Sequence, residues 1–336
     1  MYSSSKCRCG GIGIRARLKI VCRKTYEFKS HHRHFVNEIL IKRPKILVIV
    51  GQTASGKTSL SIELAQKFNG EVISADSRQV YRGLDLGTGK VTGNEMKGIP
   101  HHLLDVEDPR NTYNVADYVR DGREAIDAIL SRNKLPIIVG GTFLYIDALL
   151  GKVSTPRVPP NKILREHLET LTTEKLFKML IDNDPVRAES IDRSNKRRLI
   201  RALEIVDALG TVPPTITHEL YNSLTLGISI SKEQLRENIS KRLTNRIECG
   251  MIEEVQNLYK NGLSYERMEV LGLEYRYIAE FLQNKISRDE TMVQIETKSM
   301  QYAKRQMTWL KRDKSIVWIS PSDLTEVTKT IADFKG

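Results

Sequence analysis

Apolar and polar positions alternate along this chain in a way that changes at its middle. Ile46-Leu-Val-Ile-Val50 is a short, wholly apolar, β-branched run, the mark of a strand buried on both faces of a parallel sheet. After the loop Gly51–Lys57, residues Thr58 to Phe68 predict a helix with Leu60, Leu64 and Ala65 inward. Glu71–Ser74 predicts a second strand. Asn114 to Asn133 predicts a long helix, opened by Asn114 with Asp117 three residues on, a cap-like pair. Leu135-Pro-Ile-Ile-Val139 is another buried strand and ends in Gly140-Gly141-Thr142. Strand, loop and helix thus alternate up to about residue 150, which implies a parallel α/β sheet.

Beyond Gly151 the pattern differs. Pro156, Pro159 and Pro160 break it, Leu164 to Leu209 reads as helices only, and Pro213-Pro214 breaks it again. Leu226–Ile230 and Ile316–Ile319 read as returning strands. The fold class expected is α/β: a P-loop NTPase-like parallel sheet core flanked by helices, with an all-helical insertion domain. The core takes residues 45–150 and 223–320, the insertion 151–222. A basic extension without packed structure takes 1–44 and a C-terminal tail 321–336.

Composition modifies this picture in two respects. The net charge of +12 suggests nucleic acid, but residues 1–45 hold twelve Lys and Arg against Glu27 and Glu38. The body is therefore almost neutral, and an RNA argument must rest on local clusters there. The basic segment could be an organelle transit peptide, a disordered extension or the product of a start codon placed too early. Of the four cysteines, Cys7, Cys9 and Cys22 lie in it and Cys249 stands alone, so no disulfide framework is implied. Cys7-x-Cys9 with His31, His32 and His34 fits no standard zinc spacing. No run of 18 apolar residues suggests a membrane span.

The strongest chemical signal is Gly51-Gln52-Thr53-Ala54-Ser55-Gly56-Lys57-Thr58. It matches the phosphate-loop pattern, with the required strand before it and helix after it. Its amides would face a diphosphate, Lys57 would neutralise charge, and Thr58 could hold Mg²⁺. Yet the strand 137–139 ends in Gly140-Gly141-Thr142 and not in an acidic residue, unlike enzymes that cleave nucleotides. The diphosphate is therefore read as a leaving group.

Further motifs follow in order: Asp76-Ser77-Arg78-Gln79-Val80-Tyr81, Pro100-His101-His102-Leu103-Leu104-Asp105, Gly140-Gly141-Thr142-Phe143-Leu144-Tyr145, Arg197-Arg198-Leu199-Ile200-Arg201, Gly272-Leu273-Glu274-Tyr275-Arg276 and Lys304-Arg305-Gln306-Met307-Thr308-Trp309. Over residues 45 to 319 the chain resembles the tRNA dimethylallyltransferases, the IPP transferase family, in bacterial form. That resemblance implies transfer of a dimethylallyl group from its diphosphate to the N6 amine of an adenine beside the anticodon of tRNA. Asp76 matches the family's general base; capping a helix or holding Mg²⁺ is its rival role. Thr142 matches a site threonine, with helix capping the alternative. Ser77, Arg78 and Gln79 match the segment that meets the extruded nucleotide. Arg165, Arg197, Arg198, Arg201, Tyr275, Arg276, Lys304, Arg305, Gln306 and Trp309 match tRNA-contacting segments, although a solvated helix face would look the same. A buried, hydrogen-bonded structural role is read for at least one of His101 and His102, and no metal site is read from them.

The partners implied are tRNA and dimethylallyl diphosphate, with Mg²⁺ as cofactor, no membrane, and a monomer in the cytoplasm; organelle targeting is the second reading. A transferase acting on free adenine nucleotides and a P-loop small-molecule kinase are the competing functions. The segment between Pro214 and Leu226 is short for the family, and no zinc-finger pattern follows Trp318.

Overall fold

The computed structural model describes residues 43–154, 156, 158–214, 217–320 and 323–336. Expectations for the basic segment 1–42, its cysteines and histidines included, lie outside the described residues. The core begins with β1 (Lys45–Gly51), α1 (Lys57–Phe68), β2 (Gly70–Ala75), β3 (His101–His102), α2 (Val115–Ser131), β4 (Leu135–Gly140) and α3 (Phe143–Leu150). A helical segment follows: α4 (Lys162–Glu169), α5 (Thr173–Asn183), α6 (Pro185–Ser190) and α7 (Lys196–Leu209). The chain then returns through β5 (Asn222–Ile228), α8 (Lys232–Glu248), α9 (Met251–Lys260), α10 (Tyr265–Leu271), α11 (Leu273–Leu282), α12 (Arg288–Leu310), β6 (Val317–Ile319) and α13 (Leu324–Lys335).

All six strands pair in parallel, in the order β3-β2-β4-β1-β5-β6. The apolar run of β1 explains its central place. Ile46, Val48 and Val50 join one core cluster, while Leu47 and Ile49 join the cluster on the opposite face. Both clusters need cover, and helices on both faces supply it, as a parallel sheet requires. α2 carries the expected capping box: the Asn114 side chain accepts from the Asp117 amide, and the Asp117 carboxylate accepts from the Asn114 amide.

α4 to α7 enclose an apolar cluster of their own, built on Leu168, Leu176, Leu180, Leu199 and Leu203. Its two connecting segments run together where the His218 amide donates to Gly151 O at 2.9 Å. One buried carboxylate organises the segment. Glu204 accepts both arms of Arg165 at 2.7 Å, Arg201 at 3.3 Å and the Asn161 amide at 2.9 Å.

Four features differ from the sequence expectation. Residues 223–320 are mostly helical: five helices separate β5 from β6, and they pack Leu243, Met251, Val255, Met268, Leu271 and Ile278 into the main core. β5 starts four residues early, at Asn222, because it pairs with β1 over that strand's whole length. His101 and His102 form an edge strand on Val72 and Ile73. Residues 324–335 are no tail but a helix, whose Val327 and Ile331 are buried against α1 and the sheet. No helix among the described residues is long and apolar enough to cross a membrane.

Candidate active site

Three neighbouring strands, β2, β4 and β1, deliver the motif residues to one edge of the sheet. Asp76 follows β2, Gly141-Thr142 follows β4 and the phosphate loop follows β1. The carboxyl edge of an open parallel sheet is where such folds place ligands. Here it forms a cleft of about 760 Å³.

The loop turns sharply through left-handed backbone at Ala54 (φ 59°) and Gly56 (φ 90°) before α1 begins. No side chain caps α1 and its first turn holds no acidic residue, so its first amides are free to meet an anion. The Ser55 hydroxyl is buried with no hydrogen-bond partner. A buried polar atom in that state suits a site that receives a polar ligand.

Residues remote in sequence hold the loop. Gln306 accepts from the Thr53 amide at 2.8 Å and donates to Gly141 O at 3.2 Å. Gln52 donates to Ala303 O at 2.9 Å, and Asn238 donates to Ala54 O at 3.0 Å. Arg242 donates to the Thr53 hydroxyl at 2.6 Å. Lys57 folds back on Gln52 O at 2.6 Å.

Thr142 sits at the N-cap of α3, but its side chain does not cap the helix. Its hydroxyl accepts from the Ser77 amide at 3.1 Å, and its own amide donates to Ala75 O at 3.1 Å. Thr142 therefore grips the chain on both sides of Asp76. One Asp76 oxygen accepts from the Arg78 amide at 2.8 Å, and the residue lines the cleft. Gln79, also in the lining, joins the Ser74 hydroxyl to Gly89 O.

The electrostatics of the cleft are set by cations that burial strips of water. Desolvation, and next to it the Arg242 guanidinium, pull Lys57 down to about 7, against the opposing pull of Asp76. Lys57 as a residue is only half-buried, so the effect belongs to its ammonium, turned inward on Gln52 O. Burial likewise lowers Arg242 to about 10 and also lowers Arg246. Tyr302 lines the cleft, and desolvation followed by the charge of Asp76 pushes its hydroxyl up to about 12.

The structure redistributes the residues matched to RNA contacts. Tyr275 is fully buried, with its hydroxyl on Glu254 at 2.7 Å, so it cannot meet RNA. Gln306 is 5% exposed and committed to the phosphate loop, which corrects its assignment too. Trp309 is half-buried and stacked on Phe143 at 4.8 Å, so that face is closed to a base. Arg165 and Arg201 are engaged by Glu204, and Arg276 donates to Glu269 O. Arg197, Arg198, Lys304 and Arg305 are exposed.

Sequence reasoning missed α8. Asn238, Arg242 and Arg246 recur every four residues along α8 and line the cleft, in a row beside the buried Leu235, Ile239 and Leu243. His101 and His102 are structural: His102 Nε2 lies 2.7 Å from buried Glu71, which also takes Arg132 and Lys134. Among the described residues no three His, Cys, Asp or Glu are grouped to hold a metal.

Comparison with known proteins matches residues 79–313 to the family described as IPP transferase, and residues 44–111 to isopentenyl transferase. The chain belongs to the IPP transferase family. The tRNA dimethylallyltransferase of Anoxybacillus flavithermus is 38% identical over 287 residues, 84% of this chain and 92% of that protein. A second relative, tRNA dimethylallyltransferase 2 of Shewanella sediminis, is 41% identical over 81% of this chain and 90% of its own. Among solved structures, the tRNA isopentenylpyrophosphate transferase of Bacillus halodurans superposes with a TM-score of 0.65 at 34% identity, covering 87% of this chain and 95% of that one. A eukaryotic dimethylallyltransferase solved acting on tRNA gives 0.72 at 29% identity, covering 84% and 75%. The present transferase thus shares its parallel α/β fold with tRNA-modifying prenyltransferases.

Proposed function

We propose that this transferase moves a dimethylallyl group from dimethylallyl diphosphate to the N6 amine of an adenine beside the anticodon of tRNA. One observation carries the reading: a single cleft holds both an anion site, made by the loop, Lys57 and Arg242, and the carboxylate of Asp76.

In this reading the diphosphate lies on the loop amides and the first turn of α1, with Lys57 and Arg242 against its oxygens. Thr58, which lines the cleft, would hold Mg²⁺, and the ion would neutralise the leaving diphosphate. A single hydroxyl oxygen from the protein would suit Mg²⁺ there, since that ion is commonly bound through one or two protein groups together with substrate phosphates. The adenine amine attacks C1 of the allyl group. The C1–O bond to diphosphate breaks as the C1–N6 bond forms, and Asp76 takes the amine proton. Thr142, which fixes the residues on either side of Asp76, keeps that carboxylate in place. Ser77, Arg78 and Gln79, all half-buried, with Gln79 in the cleft lining, would meet the extruded nucleotide. Exposed Arg197, Arg198, Lys304 and Arg305 take RNA phosphates.

Labelled dimethylallyl diphosphate offered with tRNA or with AMP tests the proposal. Label should enter tRNA and not AMP. Label in AMP alone would make the enzyme a free-nucleotide transferase, and label in neither would end the reading.

A further inference from the structure

Behind the cleft wall, Glu254 on α9 gathers four hydrogen bonds from one turn and one tyrosine. Its Oε2 accepts from the amides of Asp85 at 3.2 Å and Leu86 at 2.7 Å. Its Oε1 accepts from the Gly87 amide at 3.1 Å and from the Tyr275 hydroxyl at 2.7 Å. Three successive amides on one carboxylate make a charge-assisted anchor. The anchored turn is part of the cleft: Asp85, Leu86, Thr88, Gly89 and Lys90 line it.

Space leaves the turn one position. A Cβ on Gly87 would enter the ring of Tyr275, and a Cβ on Gly89 would enter the guanidinium of Arg246. Arg246 is thus confined between the Gly89 backbone and Glu274, whose carboxylate lies 3.5 Å away. Lys90, a second cation of this wall, is already committed to Asp85 at 2.6 Å, Asp105 at 2.5 Å and Tyr81 O at 2.9 Å. Arg246, packed directly on Gly89, is therefore a cation whose direction depends on the turn.

We propose that Glu254 is a positioning residue for substrate: by anchoring the turn 85–87 it seats Gly89 against Arg246 and aims that guanidinium at the diphosphate end of the cleft. This rests on the reading of the cleft given above. The bland alternative is that Glu254 only stabilises the fold.

Kinetics with each substrate varied in turn separate the two. Glu254→Gln leaves one acceptor oxygen and sets an NH₂ group against backbone donors. It should raise the KM for dimethylallyl diphosphate roughly tenfold, the worth of a charge-assisted bond, and change the KM for tRNA by less than about twofold. Combined with Arg246→Ala, it should add less than about twofold to the effect of Arg246→Ala alone, because both act on one element. A lower Tm with both KM values unchanged overturns the proposal. So does a full effect of Glu254→Gln persisting in the Arg246→Ala background. If Glu254→Gln does not fold, Glu254→Asp keeps the charge on a shorter arm, and a normal KM in that folded variant is equally fatal. Arg246→Ala with an unchanged KM would instead overturn the diphosphate reading of this end of the cleft, and the proposal with it.

Discussion

The depressed Lys57 ammonium makes dimethylallyl diphosphate binding depend on pH in a direction that can be worked out beforehand. Its value falls from 10.5 to about 7 because the ammonium is desolvated and faces Arg242. A bound diphosphate reverses both causes, adding negative charge and accepting the proton's hydrogen bond, so binding favours the protonated form. At pH 8 about 10% of free enzyme carries that proton and at pH 9 about 1%, so affinity should fall roughly tenfold per pH unit across this range. Arg242, at about 10, stays charged there and does not share the slope. Calorimetry at pH 8.5 with Mg²⁺, in two buffers of different ionisation enthalpy, should record uptake of about one proton per ligand bound. Lys57→Met should bind more weakly at pH 7 and lose both the slope and the proton. Binding without proton uptake, or a slope that survives in Lys57→Met, would refute the reasoning. The same depression bears on stability with its own sign. Between about 7 and 10.5 the unfolded chain holds the Lys57 proton that the folded chain releases, so unliganded stability should rise with pH over that interval.

Three further outcomes follow from the geometry. Asp76→Asn keeps the bond to the Arg78 amide but cannot take a proton, so the single-turnover rate should drop roughly 10²- to 10⁴-fold with little change in either substrate's affinity; a near-normal rate ends the general-base assignment. Replacing Arg197, Arg198, Lys304 and Arg305 in turn should lower the log–log salt dependence of tRNA binding by about one unit for each RNA phosphate that the variant no longer neutralises; an unchanged slope would make these helix faces simply solvated. Tyr118 is fully buried with an unpartnered hydroxyl, stacked on Tyr145 at 4.3 Å, so Tyr118→Phe should leave Tm unchanged or raise it; a clear fall in thermal denaturation would show that the hydroxyl is satisfied in solution.

What the sequence disclosed and what it hid divide along physical lines. β1, β2, β4, the loop and the Asn114 cap were legible because their signals are local: apolar runs, glycines at fixed offsets, a capping pair. The roles of Tyr275, Gln306 and Arg242 are set by partners 21, 253 and 189 residues away, and nothing in their neighbours announces those interactions. The α13 pattern Val327-x-x-x-Ile331 was visible but brief, and only the sheet face it covers distinguishes it from a tail. The motif around residue 306 shows the consequence for function. α12 turns Ala303 and Gln306 onto the phosphate loop while Lys304 and Arg305, which lie between them in sequence, face solvent. A helix of 3.6 residues per turn must separate neighbours in this way. Residues that read as one RNA-contacting motif therefore divide: the inward pair holds the phosphate loop in shape, and on the function proposed above the outward pair is what residues 303–306 can offer to RNA phosphates.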